Sequence, residues 1–209
     1  MPISLVEVIK GVGKWGIWEI TEDEDTLLTL YSLSDTDKLY FDTIKNGKKR
    51  TQGLAYRVLL RHLLEQDISI VYNSKGKPFL ENNTAHISVS HSGKYASAFV
   101  TPTHLVGIDI EKISERMPAL ASRFLTPLEM NTVNLKDSQL LHVYWGAKEC
   151  LYKMYSDKEP LFSEHLLLQA FDFYNPQKSS FISIKTHDFE QKHRLFYREI
   201  DGYMLVYTY

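Results

Sequence analysis

A mixed α and β fold is predicted by three features of this 209-residue sequence. Residues 48–65 carry apolar side chains at three-to-four spacing, and residues 138–155 form the longest helical stretch. Short apolar-rich runs between Ser, Gly and Pro turns read as strands, both in the middle of the chain and towards its end. Hydrophobic residues make up 44% and charged residues 24%, ordinary globular values that supply a core without metal or disulfide staples.

The elements follow in order. Residues 15–20 alternate as a strand. Thr21 with Glu24 three positions on is a capping-box pattern, predicting a helix from near Glu22 towards Leu33. In the 48–65 helix Leu54, Val58, Leu59 and Leu63 share the apolar stripe. Residues 67–72 read as a strand, and Asn73-Ser-Lys-Gly-Lys-Pro78 as a turn. Strands are expected over 85–90, 95–100 and 105–111, then helices over 118–124, 127–133 and 138–155. Four further strands, 166–173, 181–186, 194–200 and 203–209, complete the chain, with Asp201-Gly202 as the hairpin turn between the last two. The length suits one generous domain or two fused halves.

Charge and cysteine usage narrow the function. Lys and Arg number 24 against 26 Asp and Glu, a net charge of −2, so no global basic field advertises nucleic-acid binding. A single cysteine, Cys150, excludes an internal disulfide and a multi-cysteine zinc site, and suits a reducing compartment. The first twenty residues carry Glu7, Lys10 and Lys14 and lack a signal-peptide core. No apolar run reaches the length of a membrane span. A soluble, cytoplasmic protein is expected.

Four constellations carry candidate chemistry. In Gly107-Ile-Asp109-Ile-Glu111-Lys112 the alternation of a strand turns Ile108 and Ile110 to one side and Asp109 and Glu111 to the other. Carboxylates about 7 Å apart on one strand face suit a hard cation such as Mg²⁺ that keeps waters and holds a substrate phosphate; they equally describe a strand with its polar face in water. In Trp145-Gly-Ala-Lys148-Glu149-Cys-Leu-Tyr-Lys153, Glu149 and Lys153 stand at i and i+4, with Trp145 one turn earlier. That is either a surface ion pair of a few tenths of a kcal/mol or a carboxylate and an ammonium aimed into one cleft. Ser88-Val-Ser90-His91-Ser92 places an imidazole among hydroxyls, fit to donate to a phosphate or to satisfy a turn. Lys45, Lys48, Lys49 and Arg50, extended by Arg57 and Arg61, are phosphate donors or a solvated face.

Other patterns fail. Gly11-Val-Gly13-Lys-Trp-Gly16 spells the dinucleotide fingerprint but precedes a strand-like stretch instead of a helix. Gly76-Lys77 runs into Pro78, not a phosphate-loop Ser or Thr. The eight histidines show no His-x-x-x-His spacing. Cys150 reads as a buried, inert thiol.

Taken in chain order, these pieces resemble a known set of signatures. Gly76-Lys77-Pro78, Ser88-Val-Ser90-His91-Ser92, Gly107-Ile-Asp109-Ile-Glu111, Phe124 with Glu129, and Trp145-x-x-Lys148-Glu149-x-x-x-Lys153 are similar to the motifs of 4′-phosphopantetheinyl transferases of the larger, Sfp-like type. The resemblance spans Arg50 to Lys153, about half the chain. It implies an α+β fold in which two similar α/β halves pack as a pseudo-twofold pair around one active-site cleft. Residues 1–102 would form the coenzyme A side and residues 103–209 the Mg²⁺-binding, catalytic side. It implies transfer of the phosphopantetheine arm of coenzyme A to a serine of an apo acyl- or peptidyl-carrier protein, releasing adenosine 3′,5′-bisphosphate, by a monomer without nucleic-acid or membrane partners.

Residue by residue, the resemblance makes Asp109, Glu111 and Glu149 the Mg²⁺ ligands. Glu149 is also the base towards the carrier serine, and Lys153 the cation that meets charge on the transferring or leaving phosphate. Lys77 and Pro78 would meet the adenine side of coenzyme A. Ser90, His91 and Arg50 would hold its phosphates, with Lys48, Lys49 and Arg57 as rivals to Arg50, and Glu129 would stand in the metal's outer shell. Gly146 departs from the Ser, Thr or Ala usual at its position. The alternatives are a Mg²⁺-dependent phosphohydrolase using the same carboxylates, and a carrier-binding relative without chemistry. A hydrolase has no need of the Lys77-Pro78 and Ser90-His91 motifs, and intact Asp109, Glu111, Glu149 and Lys153 argue against the second.

Overall fold

Every strand pairing among the described residues, 3–175 and 177–209 of a computed structural model, is antiparallel. The chain divides into two units, Met1–Val106 and Gly107–Tyr209, each a mixture of sheet and helix as the sequence predicts.

The N-terminal unit contains β1 (Ile3–Ile9), β2 (Gly13–Glu19), α1 (Glu24–Leu30), α2 (Asp35–Asp42), α3 (Gly47–Leu64), β3 (Ile70–Tyr72), β4 (Pro78–Leu80), β5 (His86–Ser92) and β6 (Tyr95–Thr101). Its main sheet runs β1-β2-β6-β5, and β3 and β4 form a separate ribbon. α3 lies on this sheet and buries Leu54, Leu59, Leu60 and Leu63 against Trp18, Ala96 and Ala98. α1 begins two residues later than expected. Asp23, not Thr21, caps it by accepting from the Thr26 N–H at 2.9 Å, while the Glu22 carboxylate turns back to the Thr21 N–H and the Trp18 indole. β1, α2 and β4 were not anticipated. α2 starts with a capping box of Ser34 and Asp37. Asp37 then reaches inward, accepting from the Tyr31 hydroxyl at 2.8 Å and from Arg57 Nε at 2.8 Å. Arg57 and Asp37 are both wholly buried.

The C-terminal unit contains β7 (Gly107–Lys112), α4 (Met117–Leu120), α5 (Pro127–Thr132), α6 (Ser138–Met154), α7 (Phe162–His165), β8 (Leu166–Leu168), β9 (Ser179–Lys185), β10 (Glu190–Ile200) and β11 (Tyr203–Thr208). The sheet order is β7-β11-β10-β9-β8, and the Asp201-Gly202 turn joins β10 to β11 as expected, with both residues at positive φ. The strand expected over 166–173 stops at Leu168, and the one expected from Arg194 begins at Glu190. α6 crosses β7 and β11, and two glycines set how closely. A Cβ on Gly107 would lie 2.5 Å from the Cys150 carbonyl oxygen, and one on Gly146 would lie 2.7 Å from Val206 Cγ2.

The neighbour at Gly107 is helix backbone, which cannot give way without lifting α6 off the sheet. Gly107→Ala should therefore lower the unfolding free energy by about 1–3 kcal/mol. Gly146→Ala should cost less, because it meets a side chain. Urea titration of the two variants beside the wild type measures both; equal midpoints for Gly107→Ala and the wild type would show that the helix can shift freely.

Candidate active site

Asp137 caps α6 by accepting from the Leu140 N–H at 3.0 Å, so the helix begins where the sequence turns apolar. From that start its residues sort by face. Lys148 points inward and is fully buried. Its ammonium donates to Glu129 Oε2 at 2.6 Å and to the carbonyls of Phe124 at 2.7 Å, Phe162 at 3.0 Å and Leu166 at 2.7 Å. Burial lowers the Lys148 pKa, opposed by the Glu129 charge. Trp145 packs edge-on against Phe124 and tilted against Phe162, both at 5.4 Å between ring centroids.

Glu149 and Lys153 leave the helix on another side, where β7 runs. Lys153 Nζ donates to Asp109 Oδ1 at 2.7 Å and to the Ile108 carbonyl at 2.9 Å. The spacing leaves open an ion pair of Lys153 with Glu149, one turn back; the observed partner lies 44 residues away in sequence. Asp109 is only 4% exposed, whereas Glu111 is half-buried. Burial pushes the Glu149 carboxyl up to about 7, helped by the negative charges of Asp109 and Glu111 and opposed by Lys153. Burial also works against the Lys153 charge, but the charge and hydrogen bond of Asp109, with Glu149 adding, outweigh it and the pKa is raised. Cys150 is buried, with its thiol pKa pushed well up by burial and its Sγ 3.4 Å from the Val206 carbonyl, as an inert core thiol should be.

The C-terminal unit thus brings Asp109, Glu111, Glu149 and Lys153 into one electrostatic neighbourhood. As the side chains stand, no three His, Cys, Asp or Glu groups among the described residues are gathered to hold a metal ion, and Asp109 Oδ1 is turned to Lys153. The donor chemistry nevertheless fits. Three carboxylates are the hard oxygen ligands that Mg²⁺ takes, and the repulsion that raises Glu149 is what a divalent cation relieves. Gly146 belongs to the same place, since a Cβ there would sit 3.5 Å from Asp109 Oδ2.

Glu129 does something other than the outer-shell metal role expected of it. It closes the capping box of α5, with Thr126 N–H to Oε2 at 2.7 Å, and its Oε1 accepts from the Leu168 N–H at 2.8 Å. With Lys148 also on Oε2, both oxygens are committed inside the unit. The signal was present as Thr126-Pro-Leu-Glu129, the Ser/Thr-x-x-Glu pattern with proline at the first helical position.

The remaining expected site residues lie in the N-terminal unit. Lys77 and Pro78 border a small cavity of about 130 Å³ together with Phe79, Asn83, His86 and Leu105. Asn73 builds their turn, its Oδ1 accepting from the N–H groups of Lys75 and Lys77. Ser90 and His91 are neighbours on β5, so their side chains leave opposite faces. His91 is exposed, with its ring parallel to that of Tyr56. Arg50 pairs with Glu24 at 2.7 Å and donates to the Phe41 carbonyl, which ties it to the start of α1. Arg57, a rival for the phosphate role, is removed by its burial against Asp37. Lys48 and Lys49 are exposed.

Comparison with known proteins bears on the unit that holds Asp109 and Glu149. Residues 105–207 match the family model of the 4′-phosphopantetheinyl transferase superfamily. The C-terminal unit belongs to that superfamily. A 4′-phosphopantetheinyl transferase of Bacillus subtilis is 33% identical over 91 residues, which are 41% of this chain and 40% of that protein. The matching stretch thus spans about two fifths of the relative's length. Both carboxylates of Gly-x-Asp109-x-Glu111 and the whole Trp145 to Lys153 motif fall inside the superfamily match.

The two lysines of that motif should behave differently. Lys148→Ala leaves Glu129 charged and buried with three carbonyls short of a donor, and should cost about 3–5 kcal/mol of stability. Lys153→Ala should cost less, because that side chain is 26% exposed and water can replace it. Denaturant unfolding of both variants checks the ranking; the reverse order would contradict the assignment of Lys148 to the core.

Proposed function

We propose that this protein transfers the 4′-phosphopantetheine arm of coenzyme A to a serine of an apo acyl- or peptidyl-carrier protein and releases adenosine 3′,5′-bisphosphate. The observation that carries the reading is the 2.7 Å contact between Lys153 Nζ and Asp109 Oδ1. It joins the end of one superfamily motif to the start of another, around Glu149. Asp109, Glu111 and Glu149 would hold Mg²⁺, which when bound would neutralise pyrophosphate charge and polarise the bond to be broken. Glu149 takes the proton of the carrier serine, whose oxygen attacks the phosphorus next to pantetheine. The bond from that phosphorus to the bridging oxygen breaks, and Lys153 meets the charge that the departing bisphosphate gains. Lys77 and Pro78 serve the adenine end of coenzyme A, and Ser90, His91 and Arg50 its phosphates.

In this reading the two units are the two similar halves expected from the sequence, in a cytoplasmic monomer. In support, each has one long helix, α3 or α6, lying on an antiparallel sheet. No helix among the described residues is long and apolar enough to cross a membrane.

The deciding experiment is mass spectrometry of apo-carriers incubated with coenzyme A and Mg²⁺. A gain of one phosphopantetheine, abolished by EDTA and restored by added Mg²⁺, is expected. Release of phosphopantetheine to water without carrier modification would favour the phosphohydrolase alternative. Asp109→Ala should abolish transfer while circular dichroism still reports a folded chain. Lys153→Ala should lower kcat on the order of 100- to 1000-fold, with coenzyme A affinity changed much less; near-normal turnover would withdraw the catalytic role from Lys153.

A further inference from the structure

The face of α3 that meets β5 carries a set of contacts the transfer chemistry leaves unexplained. Tyr56 is buried, and its ring is parallel to His91 within 2° at a centroid distance of 6.3 Å. Its hydroxyl accepts from Arg57 Nη1 at 2.6 Å and shares a hydrogen bond of 2.7 Å with the Tyr72 hydroxyl. Arg57 Nη2 donates to the same Tyr72 oxygen at 3.1 Å, and Asp37 fixes the guanidinium from behind. Tyr72 ends β3, where it pairs across the ribbon with Pro78, and its ring stacks on Tyr40 at 4.4 Å. One turn before Tyr56, Gln52 Nε2 donates at 3.1 Å to the carbonyl of Gly93, two residues beyond His91. The polar core of the unit therefore touches both the Lys77-Pro78 turn and the His91 strand.

We infer that Tyr56 is a positioning residue that holds the His91 imidazole, in step with the Lys77-Pro78 turn, for the 3′-phosphate of coenzyme A. The inference rests on the reading that His91 contacts that phosphate. The physical reason is entropy. An exposed imidazole loses rotamer freedom when it binds a ligand, and a rigid ring alongside it removes part of that freedom beforehand. Tyr56 is rigid because its oxygen is gripped by a buried cation that cannot itself move away from Asp37.

The test compares dissociation constants for coenzyme A and 3′-dephospho-coenzyme A by titration calorimetry, in the full-length protein and four variants. His91→Ala should weaken coenzyme A on the order of tenfold or more and leave the dephospho compound nearly unchanged. Tyr56→Leu should move the ratio of the two constants towards that of His91→Ala, and Tyr56→Phe, which keeps the ring but frees it from the Arg57 grip, should fall between Tyr56→Leu and the wild type. Tyr72→Phe, which removes the hydroxyl contact only, should give an intermediate ratio and stands in for Tyr56→Leu if that chain does not fold. Wild-type ratios in Tyr56→Leu, or in Tyr72→Phe when it is the stand-in, overturn the positioning role while leaving the His91 reading intact. A wild-type ratio in His91→Ala itself overturns the phosphate reading, and this inference with it.

Discussion

The C-terminal unit is organised around one buried ammonium. Lys148 has no exposed surface, and its three protons are shared among a carboxylate and three carbonyls drawn from four separate segments: the turn ending at Phe124, α5, α7 and the start of β8. An isolated charge at such a depth would be prohibitive, so these segments must assemble together or not at all. The anchored lysine also fixes how α6 is rolled about its axis. Glu149 is the next residue, about 100° round the helix, and Lys153 follows one turn after that on the same side. Both are thereby committed to β7. Gly107 and Gly146 let the helix come close enough for Lys153 to reach Asp109. The chemistry of the site is a consequence of this anchoring, one residue along the chain.

That dependence explains why a short motif combines residues of such different kinds. In Trp145-x-x-Lys148-Glu149-x-x-x-Lys153 the first lysine is part of the fold and the second is part of the site. The tryptophan packs against Phe124 and Phe162, and both of those residues also give carbonyls to Lys148. Read as spacing alone, Glu149 and Lys153 form an ordinary helical pair. In three dimensions the lysine crosses to Asp109, and burial, with the negative charges of Asp109 and Glu111 adding, raises the pKa of Glu149. A carboxylate in that position is ready to share a cation or a proton, which a solvated i,i+4 pair is not.

Much of this was legible in the sequence because it lies in local patterns. The long helices α3 and α6, the strand bearing Asp109 and Glu111, and the Asp201-Gly202 hairpin come from periodicity and turn chemistry that act over a few residues. What escaped was decided by distant partners. α2 has a thin apolar stripe and a capping box closed by Asp in place of Glu, so its identity depends on Asp37 finding Arg57 twenty residues later. Arg57 looked like one more basic residue on a solvated helix face, and only its burial distinguishes it from Lys48 or Lys49. The motif points Glu129 at the metal's outer shell, whereas Thr126 and Lys148 claim its Oε2 and the Leu168 N–H its Oε1.

Arg57 and Glu129 share a further lesson, because the same device occurs once in each unit. A short helix opens with a capping box, Ser34 with Asp37 in α2 and Thr126 with Glu129 in α5. The carboxylate that closes the box then pairs with a buried cation on the following long helix, Arg57 on α3 and Lys148 on α6. Each cation stands ten residues after the first residue of its helix, Gly47 or Ser138. Neither cation is interchangeable with the other. The planar guanidinium of Arg57 is flanked by the rings of Tyr40, Phe41 and Tyr56, whereas the compact ammonium of Lys148 is ringed by carbonyls. What recurs is the constraint: a carboxylate that caps one helix and neutralises a charge on the next, locking two elements that loops alone would leave free. In the C-terminal unit the residue after the cation is Glu149, facing the carboxylates of β7; in the N-terminal unit the residue before it is Tyr56, alongside His91. A device that stabilises the fold has in each unit become the mounting for the residue beside it.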